Sequence, residues 1–404
     1  MKHFLFLINY YNDVDHTASL ITEMLDNGHA VSLLCLTQYS IQNDIRIRKL
    51  LESKRFRIHK FFLLPRNAGA SNQNTGAVSF HKKVFREVVF NLLFATLFLN
   101  RCCIDVVIFT WGRPRAKGFQ RQLFKAAKLL SIPTVCIPHG QNIYINYDVN
   151  KQLRKQYNEL GRWPDFSERN EFSAYVVQSE RHRQQHIDWG MAPDKICSWG
   201  SLRFDPLWIY VNSELYAPCE PHVSSDADRM LSIVFFLPHW RYNVDESLSA
   251  ELIKLVLDQV QCQFIVKGHT RGDRLTKDML KILESYDNID LDSQKESTPL
   301  IDWSDVVINF GSSIAIEAIV KRKYVIYPSY LHSNETIFDD KCCVFNCKNP
   351  NDIVSKLNSL AYKENWHSTE YEQSRTSILD SEVFNQERNC SVAKTYMNNI
   401  LQLM

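Results

Sequence analysis

A chain of 404 residues is too long for one ordinary hydrophobic core and predicts two domains of about 200 residues each. Hydrophobic residues make up 45% of the chain and charged residues 23%, which is typical of a globular protein. The 47 Lys and Arg residues nearly balance the 45 Asp and Glu residues, and the resulting net charge of +2 argues against a general nucleic-acid binder. Any anion binding must therefore be local.

The 11 cysteines are scattered and include the adjacent pairs Cys102-Cys103 and Cys342-Cys343. They form no Cys-x-x-Cys pair and no spacing typical of zinc ligands, so we expect reduced thiols in a cytoplasmic protein and no structural metal. The apolar run that ends at Asn9 is too short for a signal peptide, and residues 88–99 are too few to span a bilayer. Lys82, Lys83 and Arg86 could bring this second run to the inner membrane as a peripheral contact; a solvated helix face is the alternative.

Short apolar runs rich in β-branched residues alternate with longer amphipathic stretches along the whole chain. This alternation is typical of βα units that wind a parallel sheet, and it predicts an α/β protein with two Rossmann-like, doubly wound domains and a cleft between them. Helices are expected at 17–27 and 116–130 and at the end of the chain, at 387–403. Strands are expected at 3–8, 30–36, 57–63, 105–110, 134–137, 174–178, 195–199, 231–237, 263–266, 306–310 and 324–327.

Composition suggests where the domains divide. Residues 206–230 lose the alternation and accumulate Pro, Ser and Asp, which predicts a connection between domains. Residues 1–205 then form an N-terminal acceptor domain and 231–385 a C-terminal donor domain, followed by a C-terminal helix at 386–404. Residues 65–79 lack periodicity and predict a long surface loop, either functional or a plain insertion.

The turn Gly311-Ser312-Ser313 lies between a predicted strand and a helix that carries Glu317. Such a turn can offer backbone N–H groups, two hydroxyls and the positive end of a helix dipole to a phosphate, with Glu317 placed to accept from ribose hydroxyls. The alternative is that the serines only cap the helix.

Two further strand ends of the same domain carry functional side chains. His239 and Arg241 could neutralise a phosphate, and Asp245, in the same loop, could act as a nucleophile or base; Asp245 could equally decorate the first turn of a helix. The segment Lys267-Gly268-His269 follows the next strand and combines two basic side chains with a glycine that permits close approach. Because three such loops would converge on one sheet edge, a nucleotide site there is favoured. The dinucleotide and P-loop glycine motifs do not occur.

In the first domain, Asn9 and Tyr10 follow the first strand and suit a sugar-like acceptor. His139 and Gln141 follow the strand at 134–137, where an imidazole could serve as a donor, an acid or a base; local hydrogen bonding to a carbonyl is the alternative for His139.

The order of Pro138-His139-Gly140, Lys267-Gly268-His269 and Gly311-Ser312-Ser313 resembles bacterial surface-polysaccharide glycosyltransferases of the GT-B architecture, in particular retaining β-Kdo transferases and, more distantly, CDP-glycerol transferases. Residues 179–205, from Ser179-Glu180 to Phe204-Asp205, resemble the end of the N-terminal domain in that group. The usual His-Pro pair of the family reads His269-Thr270 here.

The resemblance implies that Lys267, His269, Ser312 and Ser313 bind the CMP phosphate, that Glu317 binds the ribose, and that Asp245 is the nucleophile. Glu171 is then the candidate acid or base. The expected function is transfer of Kdo from CMP-Kdo to a lipid-linked surface glycan, O-antigen or capsule, with a covalent glycosyl-enzyme intermediate.

No cofactor or metal is expected, because basic side chains can neutralise the phosphate and no Asp-x-Asp is expected in a strand-end loop. A polyol phosphate transferase, a sugar-nucleotide epimerase and a non-catalytic scaffold for polysaccharide assembly remain open as alternatives.

Overall fold

The computed structural model describes residues 1–10, 12–36, 41–60, 91–115, 118–145, 158–159, 161, 165–219, 230–238, 244–269, 276–290, 295–361, 367–384 and 390–404. The chain divides into two compact units. The first unit combines Met1–Gln141, Pro164–Trp208 and Ser381–Met404, and the second combines Asn142–Trp163 with Ile209–Asp380. The predicted loop at 65–79 and the residues His239 and Arg241 lie outside the described residues.

The described part of the first unit contains a seven-stranded parallel sheet in the order β3-β2-β1-β4-β5-β6-β7. Each strand lies where a short apolar run predicts it. The strands are β1 His3–Ile8, β2 Ala30–Cys35, β3 Phe56–Lys60, β4 Val106–Thr110, β5 Thr134–Ile137, β6 Ala174–Val177 and β7 Ile196–Ser198. The helices are α1 Asp13–Asp26, α2 Ile45–Leu50, α3 Asn91–Arg101, α4 Phe119–Leu129, α5 Glu180–Asp188, α6 Pro206–Ser213, which crosses into the second unit, and, from the end of the chain, α13 Val392–Leu401.

The first sheet is covered on both faces, as its continuous apolar strands predict. Successive residues of β1 point to opposite faces: Phe4 and Phe6 pack with α1 and α13, whereas Leu5 and Leu7 pack with α3 and α4. The chain winds outward from β1 in one direction and from β4 in the other, so the order reverses between these two strands.

The second unit has a six-stranded parallel sheet in the order β10-β9-β8-β11-β12-β13 among its described residues. The strands are β8 Leu231–Phe236, β9 Cys262–Lys267, β10 Ile289–Asp290, β11 Val306–Asn309, β12 Tyr324–Pro328 and β13 Val344–Cys347. The helices are α7 Glu246–Gln259, α8 Lys277–Glu284, α9 Ser297–Trp303, α10 Ile314–Val320, α11 Pro350–Ala361 and α12 Thr369–Ile378.

The sequence did not predict β10 and β13. They are the two edges of the second sheet, and their side chains are mostly only half buried or exposed, so neither forms a continuous apolar run. The reversal of strand order here falls between β8 and β11. In neither unit does a described helix combine the length and apolar character needed to cross a bilayer.

Candidate functional site

The second unit brings the carboxyl ends of β8 and β11 side by side, because these two strands are paired neighbours. They flank the point where the strand order reverses. In open parallel sheets this crevice, at the carboxyl ends of the strands, is where ligands bind. The turn Gly311-Ser312-Ser313 and Asp245 therefore lie at the favoured edge, and Lys267 ends β9, the next strand along.

Gly311 is required by the geometry of its turn. Its backbone is left-handed, with φ +70°, and a Cβ added there would lie 2.8 Å from Tyr144 Oη. Tyr144 Oη also donates a hydrogen bond of 2.6 Å to the Gly311 carbonyl oxygen. Tyr144 therefore packs on the turn, a contact that no motif in the sequence indicates.

The two serines have different roles in this turn. Ser312 Oγ accepts a long bond of 3.4 Å from the Ile314 N–H, whereas the Ser313 side chain makes no capping bond. The helix that follows, α10, is only seven residues long. The simple capping alternative is therefore weak for Ser313, whose hydroxyl points to no capping partner at the helix start.

Asp245 is the N-cap of α7. Its Oδ1 accepts a 3.0 Å bond from the Leu248 N–H, and its own N–H donates to the Leu331 carbonyl oxygen at 2.9 Å. The residue is exposed. One carboxylate oxygen is thus used for capping, and a nucleophilic role would fall to the other oxygen.

Glu317 has partners inside the second unit. Its Oε1 accepts a 2.8 Å bond from the Thr298 hydroxyl of α9 and lies 3.6 Å from Lys321 Nζ. The residue is 5% exposed. A ribose contact at Glu317 would have to share or displace these bonds, which the sequence did not reveal because Thr298 lies on a different helix.

Lys267 ends β9 and His269 follows it by two residues, at the strand end where the sequence predicts them. Lys267 is 5% exposed, and Gly268 and His269 are half buried. Their roles at the phosphate stay predictions, as do those of His239 and Arg241.

Two further polar groups lie at the same edge, the buried Asn309 and the half-buried His332, and neither was expected from the sequence to be a site residue. Asn309, the last residue of β11, is 1% exposed, and its Oδ1 has no hydrogen-bond partner among the described residues. The His332 ring stacks on Phe310 at 5.9 Å, and burial lowers the pKa of His332 to about 4. A buried acceptor without a partner is costly, so Asn309 Oδ1 is available to a bound group.

The first unit has its own reversal point, between β1 and β4, and a buried carboxylate occupies it. Asp13 Oδ2 accepts from the N–H groups of Asn9 at 2.8 Å and Tyr10 at 2.9 Å, and the Thr110 hydroxyl lies 2.9 Å away. Asp13 Oδ1 lies 3.1 Å from His139 Nδ1. Asp13 thus ties the loop after β1 to the ends of β4 and β5.

His139 lies between two aromatic side chains. Its ring centroid is 5.7 Å from that of Tyr10 and 6.2 Å from that of Trp111, and both aromatic residues are exposed. Trp111 has a left-handed backbone, with φ +48°, which is strained for a residue with a side chain. Asp13 was missed in the sequence because an Asp at a helix start normally suggests only capping.

Gln141 and Glu171 form hydrogen bonds and ion pairs with neighbouring residues of the first unit. The Gln141 amide is 8% exposed; its Nε2 donates to the Glu382 carbonyl oxygen at 3.0 Å and its Oε1 accepts from Ser201 Oγ at 2.7 Å. Gln141 therefore holds the C-terminal segment, and its amide is not turned toward an acceptor sugar as the sequence predicted.

Glu171 forms ion pairs of 3.2 Å with both Arg115 and Lys128. Partial burial acts to raise the pKa of Glu171, but the two cationic partners outweigh it and lower the pKa. A general acid needs the opposite shift, so this environment does not favour Glu171 as the acid.

The expectation that no Asp-x-Asp lies in a strand-end loop is wrong. Asp290 is the last residue of β10, and Asp292 follows two residues later, outside the described residues. The missed edge strand β10 accounts for this one only: Asp13-Val14-Asp15 is another Asp-x-Asp, at the start of α1 after β1. Among the residues that the structure describes, no group of three or more His, Cys, Asp or Glu side chains could hold a metal ion.

No protein-family model matches the chain, and no curated protein matches its sequence. Solved structures do match over its full length. UDP-GlcNAc 2-epimerase from Neisseria meningitidis, bound to UDP-GlcNAc, is 14% identical with a TM-score of 0.60, and the match covers 100% of both chains. S. aureus MnaA with UDP is 12% identical with a TM-score of 0.62, covering 100% of this chain and 98% of the other. Anabaena HepE, in complex with UDP and glucose, is 10% identical with a TM-score of 0.58, covering 100% of both chains.

At these identities the likeness establishes the fold. The predicted architecture is confirmed: the chain is an α/β protein with two Rossmann-like parallel-sheet units of the GT-B type. Because one fold can support different reactions, the function has to be argued from the sites.

Proposed function

We propose that the chain is a glycosyltransferase that uses a nucleotide sugar and binds the nucleotide at the reversal point of the second unit. The observation that carries this is the Gly311 turn at the edge that β8 and β11 share, in a chain whose full-length structural neighbours include complexes with UDP-GlcNAc or UDP. In this proposal Ser312, Ser313 and the Asn309 amide contact the nucleotide, and Lys267, His269 and Arg241 balance the phosphate charge. Lipid-linked glycan is the proposed acceptor.

The donor is proposed to be a pyrimidine-nucleotide sugar. The motif resemblance supports CMP-Kdo, whereas three of the structural neighbours were solved with UDP or a UDP-sugar. A thermal-shift panel of CMP, CMP-Kdo, UDP, UDP-GlcNAc and GDP at equal concentrations distinguishes these, because a ligand that binds only the folded state raises the melting temperature more the tighter it binds. Absence of a shift with every nucleotide would exclude the proposal.

The binding site is tested with Ser313→Ala, which removes a hydroxyl that makes no capping bond. We expect the variant to melt as the wild type does alone, but to lose part of the nucleotide-induced shift, with about a 5- to 10-fold weaker Kd. The matched control is Ser285→Ala, whose hydroxyl bonds to the Ile282 carbonyl oxygen at the end of α8. The control should bind nucleotide as the wild type does.

A covalent route is a more specific proposal about the mechanism of transfer. In it the free oxygen of Asp245 attacks the anomeric carbon, and the acceptor hydroxyl then displaces the carboxylate. Mass spectrometry of protein incubated with CMP-Kdo should reveal an adduct on a peptide that contains Asp245. If neither the wild type nor variants slowed in the second step carry an adduct, the covalent route is wrong while nucleotide binding can still hold.

A sugar-nucleotide epimerase is the second candidate, favoured by the full-length likeness to UDP-GlcNAc 2-epimerase from Neisseria meningitidis. An epimerase changes the sugar of UDP-GlcNAc without any acceptor. Proton NMR of UDP-GlcNAc incubated with the enzyme alone should show a second sugar nucleotide if this candidate is correct, and only unchanged donor or slow hydrolysis if the chain is a transferase.

A further inference from the structure

The strongest unassigned feature is the pair of Asp13 and His139 at the reversal point of the first unit. Asp13 Oδ1 lies 3.1 Å from His139 Nδ1, and the carboxylate side chain is 1% exposed, whereas the imidazole is 24% exposed. One ring nitrogen of the histidine faces a buried carboxylate, and the other ring nitrogen is accessible. This arrangement orients a histidine for proton transfer.

The tautomer of His139 follows from its partners. Because a carboxylate only accepts, Asp13 favours a proton on Nδ1. The Asn12 side-chain nitrogen also lies 3.3 Å from Nδ1 and 3.4 Å from the His139 carbonyl oxygen. Because a protonated Nδ1 cannot accept, Asn12 donates to the carbonyl oxygen. None of the described residues forms a hydrogen bond to Nε2, so the lone pair of that nitrogen is available.

Asp13 is held in place independently of His139. Its other oxygen, Oδ2, accepts the backbone N–H groups of Asn9 and Tyr10, and the Thr110 hydroxyl is within 2.9 Å. Two other titratable groups interact with the pair, and both stay neutral: burial lowers the pKa of His16, one turn into α1, to about 3 and raises the pKa of Cys35, which ends β2, to about 12. The negative charge that faces His139 is therefore that of Asp13.

The surroundings of the imidazole suit a sugar. Tyr10 is 56% exposed and Trp111 is 38% exposed, and both ring centroids lie within 6.2 Å of the His139 ring. Exposed aromatic faces stack on the apolar C–H faces of sugars while a polar group between them contacts the hydroxyls. The strained backbone of Trp111 is held by its N–H bond of 3.0 Å to the Ile137 carbonyl oxygen, next to His139.

We propose that His139, oriented by Asp13, is the general base that removes the proton from a sugar hydroxyl held against Tyr10 and Trp111. The inference rests on the proposed glycosyltransferase function. The hydroxyl proton moves to Nε2, the hydroxyl oxygen bonds to the anomeric carbon of the donor, and the bond from that carbon to its leaving group breaks. The electron pair stays with the leaving group of the donor. Asp13 stabilises the imidazolium until it releases its proton to water.

The kinetic test uses the nucleotide sugar, CMP-Kdo or UDP-GlcNAc, that raises the melting temperature of the wild type most, together with soluble sugar acceptors, and the readout is the release of nucleotide that depends on the acceptor. His139→Gln should lower kcat by about 10²- to 10⁴-fold with little change in KM or in the thermal shift. It should also remove the fall in rate that protonation of a histidine base causes at acidic pH. The matched control is His29→Gln, which alters a histidine just before β2 and should leave kcat unchanged.

A second measurement does not need turnover. Long-range ¹H–¹⁵N NMR on protein labelled at its 13 histidines, with the His139 signals assigned by their loss in His139→Gln, should show the proton on Nδ1. Asp13→Asn, checked for folding by its melting temperature, should shift the population toward the Nε2–H form and lower kcat.

The outcomes separate the two proposals. If no nucleotide sugar binds the wild type, the glycosyltransferase proposal fails. If one binds and His139→Gln keeps its kcat and its pH profile, or the wild-type His139 carries its proton on Nε2, the base assignment is overturned while nucleotide binding stands.

Discussion

At the residue scale, three positions carry backbone or hydrogen-bonding constraints that single-residue preferences do not reveal. Gly311 needs a left-handed backbone under Tyr144, Trp111 adopts φ +48° despite its large side chain, and Asp13 accepts from two backbone N–H groups while it faces His139. Strained or tightly bonded residues of this kind cluster at binding sites because the surrounding structure holds them in place. All three lie at the carboxyl ends of the central strands.

Gly311→Ala is expected to destabilise the second unit by about 1–2 kcal/mol for the left-handed backbone alone. The new Cβ would also lie 2.8 Å from Tyr144 Oη and displace it. Urea unfolding measures the cost, and Gly161→Ala is the control, since that glycine has φ +61° and open space around an added Cβ.

The contact with Tyr144 is isolated by a double-mutant cycle. Tyr144→Phe removes the hydroxyl, and the next atom, Cζ, is 3.8 Å from the added Cβ, an ordinary contact. Gly311→Ala should therefore cost less in the Phe background than in the wild type. Equal costs in both backgrounds would mean that the backbone conformation alone requires the glycine.

At the element scale, the buried carboxylate of Glu382 helps to fix the C-terminal segment within the first unit. Glu382 is 4% exposed and accepts from Arg181 Nε at 3.1 Å, from Arg181 Nη2 at 3.2 Å and from Ser179 Oγ at 3.4 Å. Helix α13 then packs Tyr396 and Ile400, both 0% exposed, into the core beside β1. A helix at the end of the chain thus completes a sheet that begins at residue 3.

Glu382→Ala is expected to lower the free energy of unfolding of the first unit by about 2 kcal/mol, because it removes charge-assisted bonds from a buried position. Hydrogen exchange of the α13 amides should accelerate in parallel. Glu180→Ala is a matched control: Glu180 pairs with Arg183 on α5, but its side chain is 56% exposed, and such pairs contribute less than about 1 kcal/mol. An equal loss in both variants would contradict the anchoring role.

At the scale of the whole molecule, each unit contains a histidine that folding keeps neutral; it is buried in the first unit and half buried in the second. Burial lowers the pKa of His186 in the first unit and of His332 in the second unit to about 4 in each case. Both rings have an Nε2 without a hydrogen-bond partner among the described residues, and their Nδ1 atoms are bonded to the His182 carbonyl oxygen and the Asn334 N–H.

Both units are therefore expected to lose stability as the pH falls from about 6.5 to about 4. In this pH window the two histidines are protonated in the unfolded chain but remain neutral in the folded protein. Each therefore lowers the free energy of unfolding by about 1.4 kcal/mol for every pH unit of acidification. Above pH 6.5 the contribution is constant. Denaturant unfolding at pH 7.5 and pH 5, followed by hydrogen exchange in each unit, measures the loss.

His332→Asn should reduce the pH dependence in the second unit only, because asparagine does not titrate and its side-chain oxygen can accept the Asn334 N–H. His186→Asn should act on the first unit in the same way. An unchanged slope in both variants would assign the acid sensitivity to other groups.

The sequence alone determined the seven strands of the first sheet and the four central strands of the second, since buried parallel strands are continuous apolar runs that need no tertiary context to recognise. It also located the Gly311 turn and His139, because side chains after such strands share one sheet edge. The half-exposed edge strands β10 and β13 were missed, and with β10 the position of Asp290 at a strand end.

Only the tertiary structure decided which polar residues form hydrogen bonds within the fold: Gln141 bonds to Glu382 and Ser201, and Glu317 bonds to Thr298. It alone paired Asp13 with His139, 126 residues apart in the chain, because hydrogen bonds between distant loops depend on strand order.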